Sequence, residues 1–149
     1  MIRRKLTAIT AIIFATTFVL NAQTVTSDAD SGPGSLRQVI ADAADGATIT
    51  FASSVTSITL TSSEIRIQKN LTINGGTGNS RVTISGNNNK LSIFNVSGSY
   101  SSPNYNLSIN NLVISDAGNR AVDMSNYFSA AGGNFTATNC EFNNNGGTR

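Results

Sequence analysis

From residue 47 onward the chain alternates apolar and small polar residues with a period of two. Ala47, Ile49 and Phe51 alternate with Thr48 and Thr50, Ile58 and Leu60 flank Thr59, and Ile65 and Ile67 flank Arg66. Leu71 and Ile73, Val82 and Ile84, Leu91 and Ile93, and Leu107 and Ile109 each enclose one Thr or Ser. Each run predicts a short strand with one apolar and one polar face. The runs are separated by turn-forming clusters such as Asn74-Gly75-Gly76, Ser85-Gly86-Asn87-Asn88-Asn89 and Asn143-Asn144-Asn145-Gly146-Gly147. No helical period of useful length follows Asp45.

One stretch departs from this pattern. Pro33-Gly34 predicts a turn, Ser35 an N-cap, and Gln38 the return partner of a Ser-x-x-Gln capping box. Leu36, Val39, Ile40 and Ala43 form one apolar stripe at helical spacing. Gly46 fits a C-cap before the first strand. Residues 23–51 therefore predict a strand, a helix over about residues 35–44, and a second strand.

Internal repetition sets the architecture of the rest. LSINNLVISDAGN, from Leu107, aligns without a gap on FTATNCEFNNNGG, from Phe135. Leu107 falls on Phe135, Asn111 on Asn139, Leu112 on Cys140 and Ile114 on Phe142. IRIQKNLTINGG, from Ile65, repeats the pattern with one extra residue before Asn70. Each unit reads as two short strands joined at an Asn bend, both facing one core. That arrangement is a coil with one rung per repeat, all-β, over residues 52–149. Asn70, Asn111 and Asn139 are expected in comparable corners, where Asn tolerates left-handed backbone and stacked amides can bond one another. Four to five rungs are expected if a rung takes roughly 20–29 residues.

The Asn bends resemble the tight turn of the right-handed parallel β-helix of the pectate-lyase type. The segment Gly34-Ser35-Leu36-Arg37-Gln38-Val39-Ile40 resembles the Cys-Ser-Leu-Arg-Glu-Ala-type N-terminal cap of large secreted bacterial β-helix proteins. It has Gly34 for Cys, Gln38 for Glu and Val39 for Ala, while Ser-Leu-Arg and the following Gly46-Ala47-Thr48-Ile49-Thr50-Phe51 fit. The resemblance implies a bacterial surface or exported protein, in which Ser35, Leu36, Gln38, Val39 and Ile40 build a structural cap over the first rung. Fold alone does not imply an activity. A solenoid needs a cap at its far end too. None is visible near Arg149, so the C-terminal end is read as truncated, a piece of a larger protein.

Composition changes this picture at the N-terminus. The chain has 149 residues, a one-domain length. Residues 1–22 begin with Arg3, Arg4 and Lys5, continue in an apolar run over residues 6–20, and end at Ala22. That is the layout of a secretory signal peptide, too short for the roughly 20 residues of a bilayer span. Its removal takes the Lys+Arg count from 10 to 7 against 8 Asp+Glu, a net charge near −1. The basic balance thus belongs to the targeting segment and gives no support for nucleic-acid binding. One cysteine, Cys140, gives no disulfide framework, and the absence of His excludes His-based triads and His metal ligands.

Candidate chemistry is sparse. Asp116 and Asp123, with Arg120 between them, are the candidates for a carboxylate site of the two-acid kind. A solvated loop with a local ion pair is the favoured reading of them. Asp28 and Asp30 stand in a D-x-D-S-G run with no Glu at the twelfth position, so a turn is favoured over a calcium loop. Cys140 reads as a buried small hydrophobe, since no His activates it. Asn70, Asn95, Asn106 and Asn134 open N-x-S/T sequons, and for three of them the repeat itself explains the pattern. Tyr100, Tyr105, Tyr127 and Phe128 lie in or near loops, where they either stack on sugars or partners or pack over the side of a rung.

The expectation is a secreted or cell-surface segment with a structural or adhesive role, with surface glycans or host or neighbour-cell proteins as partners. It carries no catalytic, metal or cofactor constellation. The alternative is the N-terminal fragment of a polysaccharide lyase or glycoside hydrolase whose acids lie beyond the chain end.

Overall fold

A computed structural model of the chain describes residues 23–78, 80–89, 91–96, 104–124 and 133–146. The period-two runs form twelve short strands among these residues, and they pair only in parallel. Parallel strands need crossover connections; here the first carries the helix and the later ones carry strands of the other sheets. The result is a β-solenoid of about four turns with one short helix.

Three sheets line the coil. The first stacks β1 (Gln23–Val25), β2 (Ala47–Phe51), β5 (Leu71–Asn74), β8 (Leu107–Asn110) and β11 (Phe135–Thr138). The second stacks β3 (Ser57–Thr59), β6 (Val82–Ser85), β9 (Leu112–Ser115) and β12 (Glu141–Asn143). The third stacks β4 (Ile65–Ile67), β7 (Phe94–Val96) and β10 (Val122–Asp123). The complete turns therefore hold three strands, where the repeat predicts two. Inward residues stack turn on turn: Ala47, Leu71, Leu107 and Phe135 in one column, and Ile58, Ile84, Ile114 and Phe142 in another. Ile49, Ile58, Ile67, Ile73, Ile84, Phe94, Leu107 and Ile114 are all buried. Each such side chain contributes about 1.5–3 kcal/mol on leaving water.

Stacked positions lie 36 residues apart from Asn70 to Asn106 and 28 from Asn106 to Asn134. The turn from Asn70 to Asn106 is the one that exceeds the expected rung length. The 28-residue sequence alignment is the register of the last two turns, with Leu107 on Phe135 and Ile114 on Phe142. The earlier copy is corrected. Ile65 and Ile67 form β4 in the third sheet, while Leu71 and Ile73 form β5 directly beneath Leu107 and Ile109. Leu91 also departs from its expected place. The strand is Phe94–Val96, and Leu91 is exposed beside buried Ser92 and Ile93.

The helix α1 (Leu36–Asp42) is shorter than residues 35–44. Leu36, Val39, Ile40 and Ala43 face the core cluster at the N-terminal end of the coil. The N-cap is half of a capping box. Ser35 Oγ accepts from the Gln38 amide at 3.3 Å, but the Gln38 side chain donates to Asp42 Oδ2 at 2.9 Å. The Ser35 amide instead bonds Gly32 O within the preceding turn, which leaves Gln38 nothing to return to. Gly46 is not the C-cap. The helix ends at Ala43 in extended backbone, and Lys69 Nζ donates to the Ala41 and Ala43 carbonyls at 3.0 and 2.6 Å. A cation there satisfies end carbonyls and opposes the helix dipole.

Gly34 stands where the resembling cap has Cys. Its φ is +75°, and a Cβ there would lie 2.3 Å from Thr26 Oγ1. The Gly34 carbonyl also accepts from the Thr26 and Ser27 amides. The positive φ disfavours a side chain at this position, and a Cβ would also require the exposed Thr26 hydroxyl to turn away.

Candidate functional site

The polar residues of the repeat form inter-turn ladders. Asn70 donates its amide to Asp45 Oδ1 at 2.7 Å, Asn106 donates its amide to Asn70 Oδ1 at 2.9 Å, and Asn134 donates its amide to Asn106 Oδ1 at 2.9 Å. The Asn70 side-chain amide also bonds Asp45, and that of Asn106 bonds Asn70. These hydrogen bonds, led by the one from the Asn70 backbone, hold the Asp45 carboxyl below the usual range. Three of the four sequon asparagines thus occupy one column, and the fourth, Asn95, donates to Glu64 Oε1 at 2.8 Å.

Asn70 therefore does not share a corner with Asn111 and Asn139. Asn111 and Asn139 have φ of 54° and 51° and are joined by an amide bond of 2.6 Å. Their equivalent one turn below is Gly75, since Asn74 pairs with Asn110. Asn70 precedes its strand, and its column is Asp45, Asn106 and Asn134. Sequence comparison confuses the two corners because an Asn followed by an apolar strand stands at both.

Asp116 and Asp123 lie on different sides of the coil. Asp116, at φ 55°, is the bend after β9, with Gly86 and Asn144 as its neighbours in the column. It accepts from Ser115 Oγ at 2.8 Å, Ser85 Oγ at 3.2 Å and Asn144 Nδ2 at 3.4 Å. These bonds, Ser115 foremost, hold its carboxyl below the usual range. Asp123 lies on β10 in the third sheet, in register with Asn95, and pairs with Arg120 at 3.0 Å.

The best-connected charged group is one that sequence reasoning gave no role. Arg37 Nε donates to Asp30 O, Nη1 to Ser63 Oγ and Glu64 O, and Nη2 to Asp30 Oδ1 and Ser63 O, all at 2.6–3.2 Å. All five guanidinium donors are used. Asp30 in turn accepts from the amides and hydroxyls of Thr61 and Ser62. The D-x-D-S-G run is thus a clasp joining the loop, the helix and the corner before β4. The sequence signal was the Ser-Leu-Arg core itself, whose Arg faces a buried-side acid seven residues earlier.

Burial works to raise the Asp30 pKa, but bonds from Arg37, Ser62 and Thr61 and the Arg37 charge outweigh it, setting the value at about 2 against an ordinary 3.8. The clasp stabilises the fold above the unfolded value and is lost as pH falls through the folded one. Acid unfolding is therefore expected to deepen between about pH 4 and pH 2, by on the order of 2 kcal/mol. Circular dichroism against pH checks this: Asp30→Asn should be less stable at neutral pH and show a flatter acid limb.

Between the helix and the third sheet lies a groove of about 440 Å³, lined by Arg37, Ala41, Ser63, Glu64, Ile65, Arg66 and Leu91. Arg66 and Leu91 are exposed there. On the outer face of the third sheet Arg66, Asn95 and Asp123 are stacked in register. Cys140 is half-buried, with Sγ 3.3 Å from Thr138 O. Tyr105 packs against the core, while Tyr100, Tyr127 and Phe128 lie outside the described residues, as does the expected signal peptide. Among the described residues, no three His, Cys, Asp or Glu side chains are grouped to hold a metal ion, and no helix is long and apolar enough to cross a membrane. Comparison with family models, curated proteins and solved structures gives no match for this chain.

Proposed function

We propose that the chain is a secreted or cell-surface β-solenoid segment with a structural and adhesive role, belonging to a larger exported protein. The observation that carries this is the use of its polar groups. Asp30, Asp45, Asp116, Asp123 and Glu141 are each held by hydrogen bonds or ion pairs of the fold, most of them between turns. A scaffold needs such stitching, whereas a general acid and base need carboxylates that face one substrate. The coil takes the right-handed sense favoured by parallel crossovers, in line with its resemblance to pectate-lyase-type helices. The groove holding Arg66 and Leu91 is its adhesive surface, where a cation and an apolar side chain meet a glycan or a protein.

Expression with secretion should release a product beginning at Gln23, read by N-terminal mass spectrometry. That product should bind immobilised acidic polysaccharides or cell surfaces without releasing fragments. Binding should fall when Arg66 is replaced by Glu. Fragment release that disappears in Asp116→Ala or Asp123→Ala would overturn the reading in favour of a carbohydrate-active enzyme.

A further inference from the structure

The outer face of the first sheet is built from one kind of side chain. Thr48, Thr72, Ser108 and Thr136 follow one another in register on β2, β5, β8 and β11, alternating with the inward Ile49, Ile73, Ile109 and Ala137. Two residues further along the same strands stand Thr50, Asn74, Asn110 and Thr138, with Thr24 of β1 in register with Thr50. Each carries a hydroxyl or a carboxamide, and all are at least partly exposed. No charged or aromatic side chain stands among them. The outer column of the third sheet, by contrast, holds Arg66 and Asp123, and that of the second reaches Val113 and Glu141.

The two columns are held differently. In the second, the Asn110 amide donates to Asn74 Oδ1 at 2.7 Å, and the Thr24 and Thr50 hydroxyls lie 3.2 Å apart. Side-chain ladders of this kind favour a flat sheet. In the first, the hydroxyls of Thr48, Thr72, Ser108 and Thr136 bond no protein group among the described residues. Branching at Cβ restricts threonine χ1, so these free hydroxyls are ordered before anything binds. Neighbouring strands lie about 4.8 Å apart, and alternate residues about 6.7 Å apart along each strand. The face is therefore a regular net of neutral donors and acceptors.

We infer that this face adsorbs to the surface of an ice crystal. Water oxygens on a face of ice form a net with nearly the same two intervals. That net is uncharged and offers donors and acceptors alike, as a hydroxyl does. A charged side chain would bring a hydration shell of its own, which a crystal face has no room for, and this face brings none. Waters held between hydroxyls bond nearly as well as direct partners, and an array already rigid loses little freedom on binding. A polysaccharide is served less well, because no ring stands here for a sugar to stack on. The face is separate from the Arg66 groove, and the inference does not rest on the reading of that groove.

The fluorescently labelled full chain is expected to enter a slowly growing ice hemisphere and to slow recrystallisation of ice in sucrose solution. An unrelated soluble protein of similar charge should stay in the liquid. Thr72→Lys should lower the ice-to-liquid ratio at least about tenfold, the equivalent of ~1.4 kcal/mol. Thr136→Lys, at a fully exposed position, should do the same, and it decides the matter should Thr72→Lys fail to fold. Melting followed by circular dichroism identifies such a failure. Thr83→Lys, at an outward position of the second sheet, should adsorb as the parent does. An ice fraction no greater than that of the unrelated protein overturns the inference. So does adsorption that survives both first-sheet substitutions, or a dimer that Thr72→Lys dissolves, which would make the face a contact between copies. Capture on cellulose without adsorption to ice overturns it as well. Binding at the groove is read separately by Arg66→Glu, so either reading can fail alone.

Discussion

Replacing Ile40 with Asp is expected to unfold the N-terminal turn and drive the chain into aggregates. Ile40 is 2% exposed on the inner face of α1, beside Leu36 and Val39. Truncating such a side chain costs about 2–5 kcal/mol, and an unpaired carboxylate in the same space adds several more or must be expelled. A domain with a total stability of about 5–15 kcal/mol does not absorb that loss. The fault would also be local to a vulnerable place. α1 lies over the first turn, and its departure would bare the ends of Val25, Ile49 and Ile65 together with unpaired strand edges. Light scattering and denaturant midpoints check this. Gln38→Ala is the control. Its side chain is exposed and makes no return bond to Ser35, so its cost should stay within about 0.5 kcal/mol. Unchanged melting of Ile40→Asp would refute the capping role of the helix.

Gly75→Ala is expected to cost nearly as much through a single methyl group. A Cβ at Gly75 would lie 2.0 Å from the backbone oxygen of Asn111 and 2.8 Å from Leu112 Cδ2. The Asn111 oxygen cannot simply retreat, because it accepts from the Val82 amide, and the Gly75 amide is bonded to Asn110. Relief requires two stacked turns to separate at this corner, with loss of both main-chain bonds and of packing around Leu112. A loss of about 3 kcal/mol or more is expected from overpacking against rigid backbone. Gly78→Ala provides the comparison, since a Cβ there meets open space and only its φ of +65° resists. Equal melting temperatures for Gly75→Ala and the parent would show that the corner yields.

Legibility of the fold in the sequence follows the repeat. Where two turns have the same length, as from Leu107 to Phe135, the alignment of residues is the register of the sheets. Where a turn is longer, alignment slides to the nearest similar motif. This placed Asn70 with Asn111 rather than with Asn106. The two corners share Asn because both demand a small amide, one for left-handed backbone and the other for accepting a main-chain N–H from the next turn. The third sheet was hidden for another reason. Its strand Ile65–Ile67 shows the period but reads as part of the Asn70 repeat, and β10 is only Val122–Asp123, too short to show one. The helix was plain because a 3.6-residue stripe stands out against alternation, yet its end was misplaced by Lys69, which closes the last carbonyls from a distant turn. Arg37 illustrates what sequence leaves unsaid: its partners at Asp30, Ser63 and Glu64 are set by the coil, not by local spacing.

Arg81 gives the coil a property beyond that of a stack of neighbours. It precedes β6 in the second strand-bearing turn, yet it donates to Asn139 O at 2.9 Å and Asn139 Oδ1 at 2.7 Å and pairs with Glu141. Those partners lie 58 and 60 residues later, two turns away, across the turn that carries Asn111. In a one-dimensional array each turn answers only to the next, and the ends peel first. A side chain that skips a turn changes the order of events. The last turn cannot lift away without releasing Arg81, and the middle turn cannot loosen without parting its two anchors. Melting of this half of the solenoid is thereby drawn toward one cooperative transition in place of a graded fraying.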